Sequence, residues 1–134
     1  MVRTMIENKK PELLIVDDDP LIADTLNFVL SRDFNVFVAD SRAQVKSLLV
    51  QLDSPPPLAL IDLGLPPTPH RPDEGFRLIS ELLAYSPGMK IVVLSGQSDD
   101  TNARHARTLG AIEFVAKPCE PGFLKELLLK SLEI

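Results

Sequence analysis

The chain has 134 residues, 45% of them hydrophobic and 25% charged, with a formal net charge of -5. That length suits one domain with its own core and is too short for two ordinary ones, and the composition is globular rather than disordered. The acidic balance argues against direct, sequence-independent nucleic-acid binding by this chain.

A single cysteine, Cys119, allows no internal disulfide and fits a reducing compartment. Met1 to Lys10 is mixed and polar, without the apolar run of a signal peptide, and no stretch approaches membrane-spanning length. The sequence therefore predicts a soluble, cytoplasmic protein with no membrane partner.

Residues 1–12 read as an N-terminal tail and 13–134 as the folded domain. The run Leu13-Leu14-Ile15-Val16 suits a buried strand and ends in Asp17-Asp18-Asp19. Asp19 before Pro20 predicts a helix start, with the carboxylate as N-cap and proline where a missing donor costs nothing. Leu21, Ile22, Leu26, Val29 and Leu30 keep helical spacing to about Ser31. Asn35 to Ala39 is a short β-rich run. Ser41-Arg42-Ala43-Gln44 has the form of a capping box and predicts a second helix to about Leu52, stopped by Pro55-Pro56-Pro57.

Leu58-Ala59-Leu60-Ile61 predicts another buried strand, delivering Asp62 to the edge of the sheet. The following stretch, Gly64 to Pro72, carries four prolines and no apolar period, so it is a loop. Glu74 to Tyr85 resumes helical spacing. Lys90 to Leu94 is a fourth strand, running into Ser95-Gly96. Asp99 or Asp100 caps a helix to Leu109, with Gly110 as its stop. That helix has little apolar surface beyond Ala103, Ala106 and Leu109, which makes it a candidate for movement. Ile112 to Ala116 is the last strand and precedes Lys117-Pro118. Glu120-Pro121 opens a final helix to about Leu132, and no output domain is expected before Ile134.

Five β-α repeats call for a single doubly wound parallel sheet with helices on both faces. An open α/β sheet binds ligands outside the carboxyl ends of its strands. The polar residues predicted there are Asp17, Asp18, Asp62, Ser95 and Lys117. Crowded carboxylates invite a cation, and hard oxygens with room for water suit Mg2+. An aspartate beside such an ion can take a phosphoryl group, with an ammonium and a hydroxyl placed to hold phosphoryl oxygens.

Together, the strand ending in Asp17-Asp18, the strand ending in Asp62 with Leu65-Pro66 beyond it, Ser95-Gly96, and Phe114 ahead of Lys117-Pro118 resemble the receiver domain of two-component response regulators. The resemblance covers Leu13 to Leu132. It implies the flavodoxin-like strand order 2-1-3-4-5. It also implies a signalling switch rather than an enzyme, phosphorylated at Asp62 by a sensor histidine kinase or phosphotransfer protein, with self-catalysed phosphorylation and autodephosphorylation. In the roles it implies, Asp18 ligates Mg2+ directly, Asp17 acts mainly through water, and the Gly64 backbone carbonyl completes the metal shell. Ser95 and Lys117 hold the phosphoryl group. Ser95 and Phe114 switch, and partner binding, including a homodimer, uses the face of the last two helices and last strand.

Gly64 and Gln97 stand at positions that tune phosphoryl lifetime in that family, and with no side chain at 64 the tuning falls to Gln97. The proline-rich loop is longer than the usual receiver loop. In this it resembles receivers at the front of enhancer-binding transcription activators of bacterial exopolysaccharide systems.

Two other readings compete. A receiver-like docking module that is never phosphorylated would use the proline-rich loop beside the site. A Mg2+-dependent phosphohydrolase would use the Asp17-x-Asp19 pair, though Pro20 and the short chain fit that class poorly. A nicotinamide-binding domain is disfavoured because no glycine-rich loop follows the first strand. His70 and His105 have no ligand-spaced partners and are expected in solvent, while Cys119 is expected as a small apolar filler.

Overall fold

A computed structural model describes residues 9–96 and 100–134. Among them, five parallel strands alternate with five helices. The strands are β1 (Glu12–Val16), β2 (Asn35–Ala39), β3 (Leu58–Ile61), β4 (Lys90–Ser95) and β5 (Glu113–Ala116). The helices are α1 (Pro20–Leu30), α2 (Arg42–Gln51), α3 (Asp73–Tyr85), α4 (Asp100–Leu109) and α5 (Pro121–Ser131). The sheet order is β2-β1-β3-β4-β5, with every pairing parallel. This is the flavodoxin-like order that the resemblance implies.

Side chains alternate across a strand, and here both sides are buried. Leu14, Val16, Ala59, Ile61, Ile91 and Val93 form one core with Val45 of α2, Leu78, Ile79 and Leu82 of α3 and Ala106 of α4. Leu13, Ile15, Leu58, Leu60, Val92 and Leu94 form the other with Leu26 and Leu30 of α1 and Leu124 and Leu128 of α5. Each valine, leucine or isoleucine among them, fully buried, contributes roughly 1.5–3 kcal/mol by leaving water. The continuous apolar runs of β1, β3 and β4 are the mark of strands covered on both faces. The order reverses between β1 and β3, whose neighbouring carboxyl ends define the crevice where such sheets bind ligands.

Helix starts follow the sequence closely. Asp19 Oδ1 accepts from the Leu21 N–H at 3.0 Å with Pro20 in the first turn. The Glu120 carboxylate accepts from the N–H groups of Gly122 and Phe123, both at 2.9 Å, with Pro121 next to it. At α2 the capping box is modified. Ser41 Oγ accepts from the Gln44 N–H at 3.2 Å, but Gln44 Oε1 reaches back to the N–H of Asp40 rather than that of Ser41. Gly110, at φ +119°, ends α4 in a conformation that side chains disfavour. Asp100 is the first residue of α4, and Asp99 lies outside the described residues. Strand β5 begins one residue later than the pattern predicts, although the Ile112 N–H still bonds the Ile91 carbonyl at 2.8 Å.

Candidate functional site

Register brings the acidic residues together. Val16 lies opposite Ile61, and the Asp62 N–H bonds the Val16 carbonyl at 2.9 Å, so Asp17 and Asp62 leave adjacent strands at the same level. The Asp17 N–H in turn bonds the Ala39 carbonyl of β2 at 3.1 Å. On the other flank Ser95 pairs with Ala116, and the Lys117 N–H bonds the Ser95 carbonyl at 3.0 Å. Two strand ends thus deliver carboxylates and a third delivers an amine.

The amine spans the carboxylates. Lys117 Nζ donates to Asp17 Oδ2 at 2.9 Å and to Asp62 Oδ2 at 3.2 Å. Asp17 Oδ1 accepts from the Asp19 N–H at 2.9 Å, and Asp62 Oδ1 from the Gly64 N–H at 3.2 Å. Carboxylate oxygens of Asp17, Asp18 and Asp62 lie within 4.8 Å of one another, with Asp17 and Asp62 buried and Asp18 half-buried.

Burial and crowding set the charges. Loss of solvent pushes the Asp62 carboxyl above the usual aspartate range, with Asp17 adding to the push, while Lys117 and the Gly64 N–H oppose it. Burial also pushes Asp18 up, reinforced by Asp17. For Lys117, burial alone would favour the neutral amine, but hydrogen bonds and charges from Asp17 and Asp62 outweigh it and hold the group as an ammonium. Three converging carboxylates with two pushed towards protonation fit a small, hard divalent cation, which would relieve the repulsion that one ammonium leaves.

Of the other sequence-predicted residues, Ser95 is fully buried at the end of β4 and Gly64 is buried beside Asp62. Phe114 is half-buried on β5, packed against the core that α2, α3 and α4 cover. Gln97 lies outside the described residues. Cys119 packs at the edge of the α1–α5 core, and burial pushes its thiol up, as suits a filler rather than a nucleophile. His105 is exposed, as expected, and its ring in addition stacks on Phe76 with centroids 4.2 Å apart and planes at 16°. No partner of His105 is close in sequence, so periodicity carried no sign of the stack.

Sequence reasoning also missed a network beside the site. Arg42 meets Glu74 at 3.0 Å and Glu81 at 2.6 Å, and Arg77 approaches Glu74 at 3.6 Å. The only hint was an arginine at the first position of a helix, where a cation is disfavoured.

The family model described as response regulator receiver domain matches residues 13–129. The alginate biosynthesis transcriptional regulatory protein AlgB of Pseudomonas aeruginosa is 28% identical over 127 residues, covering 94% of this chain and 27% of that protein. The transcriptional regulatory protein AruR of the same organism is 30% identical over 115 residues, covering 83% of this chain and 45% of that protein. The chain thus spans less than half the length of these relatives. Among solved structures, a CheY-like receiver domain protein from Methanospirillum hungatei superposes with a TM-score of 0.82 at 27% identity, covering 93% of this chain and 95% of that one. With the order of the sheet, the acids on β1 and β3 and the lysine after β5 in agreement, the chain belongs to the response regulator receiver domain family.

Proposed function

We propose that Asp62 accepts a phosphoryl group from a sensor histidine kinase or phosphotransfer protein, and that the resulting charge shifts the domain between two packings. The observation that carries this reading is the Lys117 ammonium lying between Asp17 and Asp62 while Asp18 completes a triangle of carboxylates. Residues 13–134 make up the responding unit, with Glu12 joining its first strand.

A Mg2+ ion held by Asp17, Asp18, Asp62 and the Gly64 carbonyl would neutralise charge on the phosphoryl oxygens. An Asp62 oxygen attacks phosphorus, an acyl phosphate bond forms, and the bond from phosphorus to the donor imidazole nitrogen breaks with its electron pair returning to the ring. Burial makes Asp62 a more basic oxygen nucleophile than an exposed aspartate. Lys117 keeps its bond to Asp17 and passes its other contact from the Asp62 carboxylate to a phosphoryl oxygen. Ser95 donates its hydroxyl to a second oxygen. Water later cleaves the acyl phosphate to free Asp62 and inorganic phosphate, at a rate set mainly by Gln97 because Gly64 offers no side chain.

The phosphoryl group biases the two packings only through contacts it makes better in one of them. Ser95 moving towards it and Phe114 turning inward would carry that bias to α4, β5 and α5, the face proposed for partners and for a homodimer.

The test is intact mass after incubation with acetyl phosphate and Mg2+. A gain of one phosphoryl group in the wild type, absent in Asp62→Asn, is expected. No gain, together with no spectral response to beryllofluoride, would favour a docking module that works unphosphorylated. Sustained turnover of small phosphate esters would favour the phosphohydrolase.

A further inference from the structure

The first turn of α3 joins α2 to the acidic site. Glu74, only 8% exposed, accepts from Arg42 Nη1 at 3.0 Å. The same guanidinium forks onto Glu81, through Nε at 3.1 Å and Nη2 at 2.6 Å. Arg42 therefore clamps the start of α2 against α3 at two points along its length. The residue after Glu74 is Gly75, whose N–H donates to the Leu63 carbonyl at 3.0 Å. A Cβ at Gly75 would lie 2.3 Å from Leu63 Cα, so helix and loop touch backbone to backbone.

The Leu63 carbonyl and the Gly64 N–H belong to one planar peptide group. That N–H is the donor to Asp62 Oδ1 at 3.2 Å. A single rigid plate thus has α3 bonded to one end and the Asp62 carboxylate to the other. A shift of the first turn of α3 rotates the plate, and the carboxylate turns with it.

We infer that Arg42 is a positioning residue for the cation site: through Glu74 and Gly75 it fixes the Leu63–Gly64 peptide, and so the orientation in which Asp62 meets a divalent ion. This rests on the cation site proposed above. The planar fork is what qualifies arginine, because one compact ammonium cannot bridge Glu74 and both Glu81 oxygens together. The sign of the effect separates positioning from plain charge. By Coulomb's law alone, removing the positive Arg42 would strengthen cation binding; loss of positioning weakens it.

The experiment is calorimetric titration of Mg2+ into the wild type, Arg42→Ala, Arg42→Lys and Lys46→Ala, each well below its unfolding temperature. Groups touching a metal ligand directly change affinity about 10–100-fold, so a residue acting from further out should cost about fivefold. Arg42→Lys should fall between Arg42→Ala and the wild type. Lys46→Ala should match the wild type, because Lys46 reaches Glu81 at 3.8 Å and makes no bond to Glu74. In the metal-free protein, the Gly64 amide resonance should move in Arg42→Ala and stay in Lys46→Ala. Unchanged or tighter binding in Arg42→Ala, or an equal loss in Lys46→Ala, overturns the inference. A wild type that binds no Mg2+ overturns the cation site itself.

Discussion

Helices α3 and α4 are neighbours on the same face of the sheet, yet they are held very differently. Helix α3 buries Leu78, Ile79 and Leu82, carries the buried Glu74 and presses Gly75 against the loop after Asp62. Helix α4 buries Ala106 alone, and its ring contact to α3 is the His105 stack on Phe76. The acid site is therefore built against the firmly held helix, while the helix next to Ser95 and Phe114 rests on little apolar area. A molecule divided in this way can keep its reactive groups aligned while one flank changes position, since segments with little burial open at low free-energy cost.

The sharpest way to break this division is at the site itself. Lys117→Ala leaves three crowded carboxylates without their ammonium and should cost about 4 kcal/mol at neutral pH, the scale for breaking a buried ion pair. The folded value of Lys117 is raised by its carboxylate partners, so while these are ionised its contribution is full below the ordinary 10.5 and is lost as the pH climbs past its folded value. Thermal melts of the variant should recover towards wild type in acid, as the carboxylates protonate, and on adding Mg2+. Next, Gly75→Ala forces the backbone of α3 off Leu63 and should cost about 3 kcal/mol by overpacking. A drop of about 10 °C in Tm is the expected reading.

His105→Ala should cost only about 1 kcal/mol, the worth of an aromatic pair, and hydrogen exchange should quicken across α4 but not α3. Equal losses in the Gly75 and His105 variants would erase the distinction between the two helices. Asp62→Asn works in the opposite direction. Because the folded Asp62 value is raised, its favourable contribution is present below the ordinary 3.8 and is lost as pH rises through the folded value. The variant should therefore melt higher than wild type at neutral pH without Mg2+, and the gain should vanish in acid. The smallest effect is kinetic: Gln97→Ala should alter the lifetime of the acyl phosphate while leaving Tm unchanged.

Much of this was legible in the sequence because it is local. Apolar runs ending in Asp17, Asp62 and Ser95 reported strands covered on both faces, and Asp19-Pro20 and Glu120-Pro121 reported helix starts. Once those elements alternate, the parallel order gathers Asp17, Asp18, Asp62 and Lys117 at one edge. What could not be read depends on how two helices meet. Arg42 and Glu81 are 39 positions apart, and their bond requires a rotation of α2 against α3 that no periodicity encodes. The Phe76–His105 stack is hidden for the same reason: spacing marks which face of a helix is apolar, not which ring stands across from it.

The loop between Asp62 and α3 carries one more lesson. Its backbone folds into two successive turns, Thr68 N–H to Leu65 carbonyl and Arg71 N–H to Thr68 carbonyl, and the Gly75 bond to Leu63 closes its base. Leu63 and Leu65 are fully buried beneath it, whereas Pro69 and His70 stand at the exposed tip. Lengthening a closed excursion is cheap, about 0.6 kcal/mol for each doubling. A tag or reporter peptide spliced between Pro69 and His70 would open the second turn yet leave the Gly75 bond to Leu63 closed, so the chemistry at the foot of the loop should be kept.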